Sequence, residues 1–394
     1  MKRIALVGFG LLAGSIASAL RQANRPVIIR AVSSPATQKC ARELDLADEF
    51  FGYDDIEQWS KDCDLILLCG PILHILKTID ALAHVKWVKD GVAGKNGAIC
   101  LVSDIGSTKV EICKAGSKLP APFKFVGSHP MAGSEKRSCE FSDPAIFENA
   151  YWFVCPPEGM PQSEIEDLLA LVKFLGATPV VFPPEHHDRT MAWVSHMPQM
   201  LSSTLAGNMP ERLLSHNYQH YAGRAFRDMT RIAASGWAMW HDIAVTNRDE
   251  TVRALQDVRE GLDRTIEAMN GLDVVVDGMP AGGSFVAGEK PADHSDALEK
   301  IFKAGNEGRA SLFAPGRNAG AAFSEITVPL KDKPGALLSV MQPLAEEGLN
   351  IRDIELMKVR ENVAGTLLLA FKTPDEAARA VKLLRYLGYE VKER

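Results

Sequence analysis

No stretch narrows the fold as much as the first twenty residues, where Ile4 to Val7 runs into Gly8-Phe9-Gly10-Leu11-Leu12-Ala13-Gly14-Ser15 and then Ile16-Ala17-Ser18-Ala19-Leu20. A short buried strand, a glycine turn and a helix-compatible run, in that order, are the context a dinucleotide fingerprint requires. Gly8 suits the tight turn, Gly10 lets backbone approach a pyrophosphate, and Ala13 takes the third small position that lets helix and strand pack closely. The anion would lie on the helix N-terminus, drawn by free amides and the macrodipole. Gly8, Gly10, Ala13 and Gly14 are therefore the expected cofactor-binding positions.

The second strand, Val27 to Val32, ends where an acidic residue would bond the adenosine ribose of NAD. Ser33 and Ser34 stand there instead. A serine bonds a ribose hydroxyl or a 2′-phosphate, and no carboxylate repels the phosphate of NADP. Nor does an arginine follow directly; Arg30, Lys39 and Arg42 are only nearby. NAD and NADP both stay open. Strands at Leu65 to Cys69 and Ile99 to Val102 alternate with helical stretches at Thr37 to Leu46 and Leu73 to Ala83, the pattern of a parallel doubly wound sheet. Tyr151 to Cys155 and Pro179 to Phe182 read as its last strands.

Ligands bind at the carboxyl edge of such sheets. Ser103-Asp104-Ile105-Gly106-Ser107-Thr108-Lys109 falls there, with Thr108 and Glu111 at capping-box spacing; a cap and a ligand-facing Ser107 are compatible. Gly127-Ser128-His129-Pro130-Met131-Ala132-Gly133-Ser134-Glu135 has no helical or alternating pattern and reads as a loop. It crowds an imidazole and a carboxylate onto a rigid scaffold, where binding and catalytic groups concentrate.

From Glu185 to about Leu312 the period becomes helical. His186-His187-Asp188 resembles a metal-ligand run but lacks the i, i+4 spacing that brings two side chains to one face, so no metal site is assigned. His196 sits in an apolar helical stretch that Pro198 kinks or restarts. Arg224, Arg227 and Arg231 share one helical face, either solvated beside Asp228 or poised as a carboxylate clamp. Leu255, Val258, Leu262, Ile266 and Met269 form a stripe suited to core or subunit contact. Gly271 to Pro291 is a glycine-rich excursion, and Ala314 to Gly320 a linker by composition. Beyond it the pattern is βαββαβ, the split ferredoxin-like arrangement.

At 394 residues the chain exceeds one average domain of about 150 residues. We expect an α/β Rossmann-like domain over 1–184, an all-α substrate and dimerisation domain over 185–312, and an α+β ferredoxin-like module over 323–394. A net charge of −6 gives no basic footprint for nucleic acid. No run approaches the roughly 20 apolar residues of a membrane span. Seven scattered cysteines without a Cys-x-x-Cys pair read as reduced thiols of a cytoplasmic protein.

Gly8-x-Gly10 with Gly14-Ser15, Asp104-x-Gly106-Ser107-x-Lys109, His129-Pro130-Met131-Ala132-Gly133-Ser134-Glu135, Ser195-His196-x-Pro198-Gln199, and Phe226-Arg227-Asp228-x-Thr230-Arg231-Ile232-Ala233 with Met239-Trp240-x-Asp242-Ile243 occur in the order seen in prephenate dehydrogenases, and the tail resembles an ACT domain, the small amino-acid-sensing module. The chain departs from the family at Ser33, where an acid is missing, and in the excursion at 271–291. The resemblance implies NAD(P)-dependent oxidative decarboxylation of prephenate to 4-hydroxyphenylpyruvate, or of arogenate to tyrosine. It also implies a homodimer and tyrosine as effector at the tail. By the same resemblance His129 receives the proton of the ring hydroxyl and Ser107 bonds that hydroxyl. Arg231 clamps a substrate carboxylate, His196 positions the substrate, and Glu135 orders or gates the pocket. Two other readings compete. A β-hydroxyacid dehydrogenase would use a lysine in the helical region as its acid/base group, and a non-catalytic dinucleotide and amino-acid sensor would not need His129, Ser107 and Arg231 together.

Overall fold

The computed structural model describes residues 1–89, 99–133, 136–209, 218–272, 275–276, 279–280, 295–311, 324–330, 333–357 and 365–393. The chain divides into two compact units, Met1–Glu260 and Gly261–Arg394.

The first unit opens with β1 (Arg3–Val7), α1 (Leu11–Gln22), β2 (Ile28–Val32), α2 (Pro35–Glu43) and β3 (Glu49–Phe51). It continues through α3 (Ile56–Trp59), β4 (Leu65–Leu68), α4 (Ile72–Leu82), α5 (Lys86–Lys89), β5 (Cys100–Asp104), α6 (Val110–Gly116) and β6 (Phe123–Pro130). Then come β7 (Tyr151–Cys155), α7 (Glu166–Phe174) and β8 (Thr178–Val181). The strands form one sheet in the order β3-β2-β1-β4-β5-β6-β7-β8. From β3 to β6 all neighbours are parallel, while β7 runs antiparallel to β6. The order 3-2-1-4-5-6 is that of the doubly wound dinucleotide fold. Its central strands read as unbroken apolar runs because helices cover both faces: Ile4, Leu6, Leu65 and Leu67 pack to one side, Ala5, Val7, Ile66 and Leu68 to the other. Gly8 makes the turn after β1 with φ +91°, and a Cβ there would stand 2.7 Å from the backbone nitrogen of Gly70.

The segment around His129 departs from the loop expectation. β6 continues through Pro130, and Gly127, Ser128, His129 and Pro130 pair with Cys155, Val154, Phe153 and Trp152 of β7. The imidazole thus stands on the last turn of pleat in a strand, and the loop begins only at Met131.

Helices α8 (Pro184–Met191), α9 (Met197–Gly207), α10 (Arg224–Thr230), α11 (Trp237–Thr246) and α12 (Arg248–Asn270) follow. Between α8 and α9 the chain winds as a wider π-helix over Ala192–His196. Pro198, just beyond, supplies no amide and its ring crowds the preceding turn, so one wide turn accommodates the break without ending the helix. Two carboxylates from these helices cap the nucleotide fold. Asp188 of α8 accepts from the amides of Lys109 and Val110 at the start of α6, at 2.7 and 2.9 Å. Asp242 of α11 accepts from Leu73 in the first turn of α4 at 3.1 Å. The α6 cap thus comes from a distant helix and not from Thr108, whose hydroxyl lies 2.8 Å from that of Thr246. Negative charge at a helix N-terminus is favourable, and here it also ties the helical segment to the carboxyl edge of the sheet.

In the second unit α13 (Ser295–Ser311) precedes β9 (Ser324–Leu330), α14 (Ala336–Glu346), β10 (Ile351–Met357), β11 (Gly365–Phe371), α15 (Pro374–Tyr386) and β12 (Lys392–Glu393). The strands are ordered β10-β11-β9-β12 with every neighbouring pair antiparallel, the βαββαβ arrangement read from the sequence. Alternate residues Ile326, Val328, Leu330 and Leu367, Leu369, Phe371 fill its core. Of the 271–291 excursion only Leu272 with Gly271 and a minimal hairpin, Val275–Val276 with Met279–Pro280, belong to the described residues; the linker at 314–320 lies outside them. No helix among the described residues is long and apolar enough to cross a membrane.

Candidate active site

His129 is buried at the end of β6, and its Nδ1 lies 2.9 Å from Nε2 of His187 on α8. The Nδ1 of His187 lies 2.8 Å from Oδ1 of Asp188. A carboxylate only accepts, so His187 carries its proton on Nδ1 and offers Nε2 as an acceptor. His129 must then carry its own proton on Nδ1. Its Nε2 is left with a free lone pair, the state a proton acceptor needs. Burial, then the neighbouring His187, Lys109 and His196, hold the His129 imidazole well below its ordinary value. Burial also lowers His187, against the pull of the Asp188 bond. Both rings are neutral at physiological pH.

The strand before His129 is pinned by the Asp104-x-Gly106-Ser107-x-Lys109 segment. Lys109 and Asp104 form a fully buried ion pair, and the Lys109 ammonium also donates to the Ser128 carbonyl at 2.7 Å. The Asp104 carboxylate accepts from the amides of Ser128 and Gly106 at 3.0 and 2.8 Å. A buried pair of this kind persists because its remaining hydrogen-bond capacity is filled. It joins the end of β5 to the residue just before His129, and leaves the half-buried Ser107 on the turn between β5 and α6. Ser107 and His129 thus share the carboxyl edge of neighbouring strands.

His196 ends the π-helical turn, almost wholly buried, with Nδ1 3.1 Å from the side-chain amide of Asn247. That amide also donates to the Asp188 carbonyl at 2.7 Å, so both of its hydrogens are used and His196 Nδ1 accepts. Burial lowers His196 to about 4, overriding the opposing charge of Asp188. One network therefore runs from His129 through His187 and Asp188 to Asn247 and His196. A cleft of about 430 Å³ borders its far end, at Asp188 and Asn247, away from the His129 ring.

Arg224 and Arg227 lie on α10, but Arg231 begins a 3-10 turn, Arg231–Ala234. All three are exposed in the chain, and Arg224 reaches Asp228 at 3.4 Å. What places the Arg231 turn is Gln199 of α9, buried, whose amide donates to the Ile232 carbonyl at 2.9 Å. Gln199 follows His196 by three residues, so one helix fixes both. Glu135 lies outside the described residues.

The first turn of α1 has the polarity a dinucleotide phosphate needs, while its Leu11 amide is engaged by the Arg137 carbonyl at 3.0 Å. It carries no acidic residue, and no side chain caps it. Ser33 is buried after β2, and Ser34 caps α2. The three cations near this point are engaged elsewhere. Arg30 is buried against Glu49 at 2.6 Å and the carbonyl of Trp59 at 3.0 Å. Arg42 stacks on Phe50, and Lys39 stands 3.8 Å from Glu43. The residues closing the network that sequence pattern did not bring out are His187, Asp188 and Asn247. The adjacent His-Asp pair one turn after Pro184 was their signal, read against metal geometry instead of against a partner histidine.

Residues 16–181 match the family model described as "Prephenate dehydrogenase, nucleotide-binding domain", and residues 183–274 the one described as "Prephenate dehydrogenase, dimerization domain". The chain is 30% identical to prephenate dehydrogenase of Bacillus subtilis (strain 168) over 96% of this chain and 94% of that protein. Among solved structures, Synechocystis arogenate dehydrogenase is 25% identical with a TM-score of 0.61, covering 78% of this chain and 99% of that one. The prephenate dehydrogenase of A. aeolicus, in complex with hydroxyphenyl propionate and NAD+, shares the fold with a TM-score of 0.63 at 22% identity, covering 79% of this chain and 98% of that one.

Proposed function

This chain belongs to the prephenate dehydrogenase family, and on that premise we propose that it oxidises and decarboxylates prephenate to 4-hydroxyphenylpyruvate with NAD or NADP. It is an NAD(P)-dependent oxidoreductase by family and by its nucleotide-binding fold. The observation that carries the reading is the orientation of His129, whose proton sits on Nδ1 and whose Nε2 is free.

A bound dinucleotide supplies the acceptor for the hydride lost from C4 of the ring. His129 Nε2 takes the proton of the C4 hydroxyl as that hydride leaves, and Ser107 holds the hydroxyl against it. The ring carboxylate departs as CO2, its bond electrons aromatise the ring, and the proton returns from His129 to the phenolic oxygen. Histidine therefore ends neutral, as it began. The lowered pKa keeps His129 neutral at rest and makes the proton it takes easy to hand back to the phenolic oxygen. Arg231 holds a substrate carboxylate, His196 donates from Nε2 to the substrate, and Glu135 orders the pocket. The leaving carboxylate is held loosely, because only contacts that strengthen in the transition state accelerate the step. Gly8, Gly10, Ala13, Gly14, Ser33 and Ser34 line the cofactor side.

The reading extends to assembly and control. Domains at 1–184, 185–312 and 323–394 separate catalysis from an ACT module whose effector is tyrosine. The βαββαβ topology supports it, as does an alignment with the Bacillus subtilis enzyme that spans 96% of the chain and so includes this module. A homodimer is supported by the match to a dimerization domain and by the stripe on α12. Its first half, Leu255 and Val258, packs on Ala192 and Met197, while Leu262, Ile266 and Met269 stay more than half exposed. Seven free cysteines support a cytoplasmic setting.

The test is an assay of the purified protein with prephenate and with arogenate, each against NAD+ and NADP+. Turnover of prephenate at least tenfold above arogenate upholds the proposal, and the reverse ratio makes the chain an arogenate dehydrogenase. No turnover with either overturns it.

A further inference from the structure

A pair of thiols not used by the reaction stands beside the cofactor end of the fold. Cys139 opens the 3-10 turn Cys139–Phe141, fully buried, and its Sγ lies 2.8 Å from Sγ of the half-buried Cys40 on α2. A disulfide needs about 2.0 Å, so a sub-ångström approach joins them. The two residues are 99 apart in sequence and sit on different elements, so a bond between them would tie α2 to the segment carrying Cys139.

That segment lies over the glycine turn. The carbonyl of Arg137 accepts from the amide of Leu11 at 3.0 Å, and the amide of Asp143 donates to the Ser15 hydroxyl at 2.9 Å. A Cβ on Gly10 would stand 2.9 Å from the same Arg137 carbonyl. Leu11 opens the helix whose free amides would receive a pyrophosphate. In this structure one of those amides is taken by the chain itself, two residues before Cys139. Dinucleotide binding and this contact compete for the Leu11 N–H.

We propose that Cys40 and Cys139 form a dithiol modification site, oxidised by a peroxide to a disulfide that holds the Arg137 carbonyl on Leu11 and weakens dinucleotide binding. The proposal rests on the reading that the first turn of α1 receives the cofactor. Cys40 is the thiol a peroxide meets first. Its sulfur attacks the O–O bond and becomes a sulfenic acid while the first water leaves. The Cys139 sulfur then displaces the second water, its proton going to the departing oxygen. Two thiols are oxidised and one peroxide is reduced to two waters. Burial, then the Cys40 thiol, pushes Cys139 up to about 12, so the second step is the slow one and quickens with rising pH. A transient, reversible disulfide is the kind that occurs in reducing compartments.

The experiment treats the full-length protein with hydrogen peroxide and reads two things: the peptide map, and NAD+ affinity by fluorescence titration. The expected result is a Cys40–Cys139 cross-linked peptide, a mass lower by two hydrogens, and an NAD+ Kd raised about tenfold, the loss of one charge-assisted amide bond to a phosphate. Dithiothreitol restores the affinity, and Cys40→Ser, a half-buried site outside the catalytic machinery, shows neither change. Absence of the cross-linked peptide overturns the proposal, as does a cross-linked protein that binds NAD+ as tightly as the reduced one. Failure of the reduced protein to bind NAD+ would instead count against the cofactor reading, and the peptide map would still decide whether the dithiol site exists.

Discussion

Replacing His187 tests whether the orientation of His129 is imposed by its neighbour. In the wild-type chain the Nδ1–H of His129 has one partner, His187 Nε2 at 2.9 Å, in a buried setting. His187→Phe keeps the ring's bulk and removes the acceptor. The Nδ1–H form of His129 then carries an unpaired buried donor, at a cost of about 1–3 kcal/mol. The alternative tautomer places its proton on Nε2, toward the substrate, and cannot accept the hydroxyl proton. A shift of that size lowers the competent fraction, and with it kcat, by about 5- to 150-fold. His187→Gln offers the same pattern as the neutral histidine, a donor toward Asp188 and an acceptor toward His129, and should recover most of the loss. Steady-state kcat for the three proteins, with nitrogen NMR of the His129 ring to read the tautomer, measures both ends of the argument. Equal kcat in the phenylalanine and glutamine variants, or an Nδ1–H His129 in the phenylalanine variant, would refute it.

Direct loss of the base, His129→Asn, should cut turnover about 100-fold or more with NAD(P) affinity nearly unchanged, checked by steady-state kinetics beside a binding titration. Arg231→Ala should raise the KM for substrate far more than Arg224→Ala; Gln199→Leu should raise it too, but add little in the Arg231→Ala background, because it acts through the turn it holds. Stability should fall on acidification. Each imidazole whose folded pKa is depressed binds fewer protons folded than unfolded, so its contribution is complete above about pH 6.5 and is lost as pH drops. For His196, lowered to about 4, that amounts to roughly 3 kcal/mol between those values, read as the urea midpoint against pH and absent in His196→Leu. Removing 322–394 should leave turnover and abolish the response to tyrosine; equal inhibition of the truncated enzyme would place tyrosine at the active site, since it resembles the product.

The nucleotide fold was legible because its signals are local. β1 and the turn at Gly8 adjoin in sequence, and the strand run at Tyr151–Cys155 coincides with the structure residue for residue. The short edge strand Glu49–Phe51, with only Phe50 and Phe51 as apolar residues, is too short for a pattern to show, and its pairing with β2 makes it a strand. The end of β6 failed for a related reason. Gly127-Ser128-His129-Pro130 has no alternation of apolar and polar residues, since its inward groups are polar and are satisfied by Asp104, Lys109 and His187. A hydrophobic pattern sees only apolar burial, and a strand whose buried residues pair with distant charges is invisible to it.

The same blindness hid the orienting residues. On a helix, neighbours at i and i+1 do not share a face, so His187-Asp188 gave no constellation along the chain. The structure uses that divergence. Asp188 turns its carboxylate to the amides opening α6, while His187 turns its Nε2 to the strand end, and the bond between the two residues joins both tasks. A single carboxylate therefore caps a helix of the nucleotide fold and sets, two bonds away, which nitrogen of His129 is free. On the proposed role of His129, stability and chemistry are coupled: a shift of α8 that lengthens its contact with α6 should also loosen the tautomer of that imidazole and lower turnover.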